Sequence, residues 1–309
     1  MATVTADTPG FWNGTRRFGR FLASEMKPRG RILTPFNVIT IVIMAVAAVI
    51  LFIRFTQGLG AVTNLSDGYP WGLWIAFDVV TGTALGCGGY AVALLVYAFN
   101  KGKYHPLVRP ALLTSALGYS IAAVGIIIDV GRPWLIWRIP ISFSKWNLDS
   151  ALLEVALCVM AYMIVLWIEL VPPALECGGH HKLLKKFNKW LFVIISLGIV
   201  LPTMHQSGLG AIVVAAGNKV SPLWQTPWVS FLFLLSAIIM GFSVVIFEGA
   251  LTVMGFGRRL ELHLYRRFAK VMRWALAIYL VVRFADLAYR GALGATTETP
   301  VRMTMFMLK

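Results

Sequence analysis

Apolar residues run along this chain in blocks of about twenty, separated by short stretches that hold most of the charge. At 1.5 Å per residue, a helical run of that length crosses the roughly 30 Å hydrocarbon core of a bilayer. The pattern predicts spans at about 36–55, 71–98, 110–131, 150–171, 189–206, 228–254 and 272–289. The expected fold class is all-α: a polytopic transmembrane bundle of about 7 spans, read as a shortened form of an 8 to 10 helix fold. Ahead of the spans, Phe11, Phe18 and Leu22 recur at helical steps among Arg16, Arg17 and Arg20, which predicts a short helix lying on a membrane surface. No cleavable signal pattern precedes the first span, so it reads as retained.

Composition agrees with that pattern. At 58% hydrophobic, 13% charged and a mean hydropathy of +0.75, the chain exceeds the apolar content that a soluble domain can bury. The net charge of +15 is distributed by loop, which favours membrane topology and anionic lipid over nucleic acid as its meaning. Six Lys and Arg lie in the arm before the first span, three in 99–109, four in 172–189 and six in 255–273, whereas the alternate loops hold only Arg132, Arg138, Lys145 and Lys219. By that bias the N-terminus is cytoplasmic. The expected organisation is a basic arm over 1–35, a first four-helix bundle over 36–172 and a second, incomplete bundle over 173–309. Pro70-Trp71 and Pro227-Trp228 open the second and sixth spans, an echo that fits a four-helix repeat lacking its eighth helix, and Met303–Lys309 resembles the start of another apolar run.

Polar groups inside the spans are the candidate chemistry. In 69–90, Trp71, Trp74, Asp78, Gly82, Gly86 and Gly89 share one helical face, and the glycines allow a second helix to approach. Asp78, Asp129, Glu154, His205, Arg283 and Asp286 are expected at one depth near the outer face. Burying each separately costs about 3 kcal/mol on insertion scales, so a shared polar cavity is the economical reading. Plainer roles exist: Glu154 as a favourable acid at a helix start, Asp129 paired with Arg132, and Arg283 neutralised by Asp286 three residues on. Pro202 before His205 predicts a break in the fifth helix that lines the cavity. Glu248 sits deep in the sixth span as a proton-relay candidate, and Glu169 and Glu176 read as surface charges beside the lysines of 182–189.

The remaining residues narrow the cofactors. His205 is the one intramembrane histidine; His105, His180, His181 and His263 fall in or beside loops, so a haem held by two histidines is not expected. Cys87, Cys158 and Cys177 are scattered, which gives no expectation of an iron-sulfur cluster or metal site in this chain. A quinone fits such a cavity: it arrives through lipid, stacks on Tyr69, Trp71 or Trp74, and takes protons from groups such as His205 and Asp78. Composition alone leaves an ion or small-solute transporter, or a purely structural anchor, as alternatives.

Seven strings carry a resemblance. They are Tyr-Pro-Trp-Gly-Leu-Trp-Ile-Ala-Phe-Asp at 69–78, Cys-Gly-Gly at 87–89, Tyr-His-Pro-Leu-Val-Arg-Pro-Ala-Leu-Leu at 104–113, Asp-Val-Gly-Arg at 129–132, Leu-Pro-Thr-Met-His-Gln-Ser at 201–207, Met-Gly-Phe-Ser-Val-Val-Ile-Phe-Glu-Gly at 240–249 and Arg-Phe-Ala-Asp-Leu-Ala-Tyr-Arg at 283–290. Over residues 36–290 the chain resembles the NrfD/PsrC family of integral membrane subunits, and among them those of respiratory nickel-iron hydrogenases. The resemblance implies a haem-free, quinone-reactive anchor in the bacterial cytoplasmic membrane that handles menaquinone or ubiquinone. It implies an iron-sulfur ferredoxin-like partner on the outer face and, through it, a catalytic subunit such as the hydrogenase. Asp78 and His205 would then line the quinone pocket with Tyr69 and Trp71 at its rim, and Trp74 and Arg283 complete the candidate set. Glu154 and Glu248 match carboxylates proposed to conduct protons in such subunits; Asp129 and Asp286 join them as path candidates by depth. The family's further helices after the match are missing here.

Overall fold

The structure is a computed structural model that describes residues 11–25, 33–63, 77–217, 221–256, 262–292 and 294. All regular structure among them is helical. The predicted surface helix forms as α1, Phe11–Glu25, with Arg16, Arg17 and Arg20 exposed. α2, Pro35–Gln57, starts where Thr34 accepts a hydrogen bond from the Asn37 backbone and Pro35 occupies the first turn, a position that lacks a helical N–H partner in any case.

The second predicted span is not one helix. It divides into α3, Val79–Leu85, and α4, Gly88–Ala98, bent by 47° at Gly86 and Cys87, with π-helical turns at Phe77–Gly82 and Leu94–Ala98. Continuous helices follow: α5, Val108–Asp129; α6, Ala151–Glu169; α7, Val171–Gly178; α8, His181–Phe187; α9, Leu191–Ala216; α10, Val229–Phe256; and α11, Leu262–Tyr289. Among the described residues, five helical stretches are long and apolar enough to cross a membrane, or six with the bent pair. α11 runs 28 residues but carries Arg266, Arg267, Lys270, Arg273, Arg283 and Asp286, and does not reach the same apolar measure.

The expected break at Pro202 is absent. α9 continues through the proline to Ala216, which moves His205 from near a helix end to the middle of a 26-residue helix. The ring must clear the carbonyl four residues earlier, at Gly198, and a helix packed on both sides holds that geometry.

Packing is set by small residues at crossings. α6 lies along α9, α9 against α10, and α4 against α5 and α10, so the two expected halves share one core. A Cβ on Gly86 would stand 2.5 Å from the Tyr119 ring, and one on Gly241 2.5 Å from the Cys87 carbonyl, so glycine is what lets α5 and α10 close on the bend. A second cluster, built on Val92, Tyr104, Phe242 and Phe268, joins α4, α10 and α11. α1 rests on α7, where a Cβ on Gly14 would come within 2.6 Å of the Gly178 carbonyl. α2 is almost wholly exposed except at Arg54, whose guanidinium donates to the carbonyls of Ile128 (2.7 Å) and Val130 (2.6 Å) at the end of α5.

Candidate functional site

The bend between α3 and α4 brings a polar cluster together. Thr83 bonds back to the Val79 carbonyl, and Cys87 lies one turn on, directed at α5 and α9. The ring of Tyr119 fills the space that Gly86 leaves, and its hydroxyl reaches His205 Nε2 at 2.8 Å. His205 is 0% exposed, and its Nδ1 lies 3.0 Å from the Leu201 carbonyl. A carbonyl only accepts, so Nδ1 carries the proton and Nε2 accepts from Tyr119. The Gln206 amide donates to Thr83 Oγ1 at 3.1 Å and lies 3.4 Å from Cys87 Sγ and 3.2 Å from His205 Nε2. Tyr162 on α6 packs edge-on against Tyr119 at 4.8 Å between ring centres and 6.0 Å from His205. Every polar atom of His205 and Gln206's nitrogen is thus engaged inside the core.

Gln206 also borders a cavity. With Trp224, Phe233, Ser236, Met240 and Tyr279 it lines a cavity of about 310 Å³ between α3, α9, α10 and α11. The walls are largely apolar with a few polar groups, the usual make-up of a site for a flat organic ligand. One turn beyond Tyr279, Arg283 is 4% exposed with its guanidinium carbon 4.2 Å from the centre of the Trp224 ring. Its Nη1 has no hydrogen-bond partner among the described residues. A buried cationic donor left open beside a cavity is costly unless something uses it.

The other candidates are distributed differently. Tyr69, Trp71 and Trp74 lie outside the described residues. Asp78 belongs to the π-helical turn Phe77–Gly82, where only its backbone is described, two residues before Val80 in the cavity wall. The Arg283–Asp286 pairing expected from spacing does not form. Asp286 is bound by Arg290 at 2.7 Å and by the Thr226 hydroxyl at 2.7 Å, while Arg290 also holds the carbonyls of Pro222 and Gln225. The reason is geometric: Arg290, at i+4, reaches the carboxylate in a fork, whereas Arg283 turns its plane to Trp224. Asp129 ends α5, bracketed by the two carbonyls that Arg54 caps. Glu154 is exposed in the first turn of α6, 3.9 Å from where a Cβ on Gly208 would stand. Glu248 is half-buried and hydrogen-bonded to Thr114. Glu169, read from the sequence as a surface charge, is 7% exposed, because α9 offers Gly198 at its level and the carboxylate lies in that notch.

Sequence reasoning missed Tyr119, Tyr162, Gln206, Thr83 and Arg54. Gln206 stood in the polar string around His205, and Arg54 was a lone cation ending an apolar run; both were readable signals. The tyrosines carried none, since an aromatic within a span reads as packing.

Comparison with known proteins adds three observations. The family profile described as "Polysulphide reductase, NrfD" matches residues 61–307. The chain is 42% identical over 285 residues to a "Probable Ni/Fe-hydrogenase 2 b-type cytochrome subunit" of Escherichia coli, covering 91% of this chain and 72% of that protein. It is 32% identical over 243 residues to the "Menaquinone reductase, integral membrane subunit" of Nitratidesulfovibrio vulgaris (74% of this chain, 56% of that protein), and 24% identical over 233 residues to one of the subunits of a selenate reductase of Mesobacillus selenatarsenatis (66% and 53%). No solved structure matches.

Proposed function

The chain belongs to the NrfD family of multi-pass membrane proteins, and from that premise we propose that it is the quinone-reactive anchor of a respiratory oxidoreductase complex. The observation that carries the reading is the cavity lined by Gln206 and Trp224, with the Arg283 guanidinium over the Trp224 ring. Its size suits a quinone ring, Trp224, Phe233 and Tyr279 offer aromatic walls, and the open Nη1 of Arg283 beside Trp224 offers a donor to a carbonyl. Reduction of a quinone to quinol takes two electrons and two protons. The electrons come from an iron-sulfur partner docked on the face opposite α1, itself bound to a catalytic subunit of which a nickel-iron hydrogenase is the favoured case. The protons come by way of His205 and Tyr119, one hydrogen bond behind Gln206, and of Asp78, next to the cavity wall. Glu154 and Glu248 supply protons from the other side, by way of intervening waters. The membrane is the bacterial cytoplasmic membrane, with α1 on its inner side.

One relative's name refers to a b-type cytochrome. The described residues do not fit a haem held by two histidines: His205 is enclosed, both its ring nitrogens are bonded, and no second histidine faces it from another span. None of these steps runs through haem.

The test is binding of a soluble menaquinone analogue to the purified chain, followed by quenching of tryptophan fluorescence. Saturable quenching is expected, and His205→Ala should weaken it about tenfold, about 1.4 kcal/mol. Failure to bind in a folded sample would favour a transporter or a bare anchor.

A further inference from the structure

A second cavity, of about 200 Å³, opens on the face that carries α1. At about 30 Å³ per molecule it has room for several waters. Its lining is more polar than that of the first: His105, Arg109, Glu176 and Asn188 stand around it, and Glu169 forms its floor. Arg109, the arginine in that lining, is already held by Glu176 at 2.7 Å, with both side chains substantially exposed. Glu169 has no such partner among the described residues, although it is more than nine-tenths buried. It ends α6, where the helix dipole presents its negative end and gives a carboxylate no help. Its seat is specific all the same: a Cβ on Gly198 would lie 2.6 Å from Glu169 Oε1, so α9 makes room for this carboxylate and for little else.

Glu169 also points somewhere. Tyr162 lies seven residues, about two turns, earlier on the same face of α6, and Tyr97 lines the same cavity as Glu169. Tyr162 in turn packs on Tyr119 and His205. The titratable and charged groups that line the cavity with Glu169 are therefore Tyr97 on α4, His105 before α5, Arg109 on α5 and Glu176 on α7, with Tyr162 further along α6 itself. Neither Glu154, at the opposite end of α6, nor Glu248, bonded to Thr114, lines this cavity.

We infer that this cavity is a proton port, in which the Glu169 carboxylate takes a proton from water on the α1 side and passes it inward past Tyr162 to the Tyr119–His205 pair. In the step an O–H bond forms on Glu169 as one breaks in hydrated H⁺, and the reverse exchange restores the carboxylate when the proton moves on; no electron is transferred. The inference rests on the quinone reading for its destination only.

The test is infrared spectroscopy of the full chain in a lipid film, following the carboxylic C=O band on titration and on exchange into D2O. Glu169→Gln is expected to remove one protonatable band, and that band should shift in D2O at least tenfold faster than the core amides exchange. Asn188→Trp, an exposed change at the mouth that leaves the core untouched, should slow the shift at least tenfold. A band missing from the unmodified protein at every pH, or exchange that Asn188→Trp leaves unchanged, overturns the port. Menaquinone-analogue binding on the same samples separates the two readings: a port that exchanges in a chain that binds no quinone removes the destination and leaves the port standing.

Discussion

Arg54 on α2 and Arg283 on α11 are both buried arginines, 2% and 4% exposed, yet they are treated in opposite ways. Arg54 gives two short, charge-assisted bonds to the carbonyls that end α5, and through them fastens an otherwise exposed helix to the bundle. Arg283 has the face of Trp224 and an unused Nη1 next to a cavity. Arg54 directs its charge to backbone carbonyls and so maintains structure, whereas Arg283 keeps a donor without a partner among the described residues, which is why the proposed site is built on it.

The largest test of that contrast is Arg54→Met. Removing the guanidinium leaves two part-buried carbonyls without their charged donor, and about 3 kcal/mol of stability should go with it, read as a fall in thermal midpoint in detergent. An unchanged midpoint would mean that α2 is held by something else. Arg283→Met should do the reverse: the midpoint holds or rises, while affinity for the menaquinone analogue drops about tenfold, or about 1.4 kcal/mol. Equal loss of stability in both variants would dissolve the distinction. A smaller effect is expected at Asp286→Asn, which weakens the fork to Arg290 and costs about 1 kcal/mol; its signature is faster proteolysis in 221–228, the segment that Arg290 and Thr226 tie to α11. Proteolysis at the wild-type rate would show that the segment is held without the clamp.

The same contrast explains what can be read in advance. The spans are legible because lipid imposes a length and an apolar composition on each helix separately. α1 is legible from Phe11, Phe18 and Leu22 against the arginines. His205 stands out in the sequence as an intramembrane polar group, but its place along the helix does not, because Pro202 predicts a break and α9 runs on. Spacing within a helix suggests Arg283 with Asp286; a partner four residues away and a threonine from another segment hold that carboxylate instead. Glu169 looks like a surface charge because it ends a span shortly before the lysines of 182–189, whereas in space it lies in the notch at Gly198 and lines a cavity with Tyr97 of α4.

By itself, then, the sequence determined the class of molecule, its run of helices and the few ionisable groups that lipid would not accept alone, because each follows from local hydropathy and from the cost of burying charge. Tertiary structure decided which of those groups are bonded and which are open. That depends on the 47° bend at Gly86 and Cys87, on glycines that let helices touch, and on contacts between residues more than eighty positions apart, such as Tyr119 with His205. Hydropathy along one helix carries no record of what faces it from the next, and the site is made of such facings.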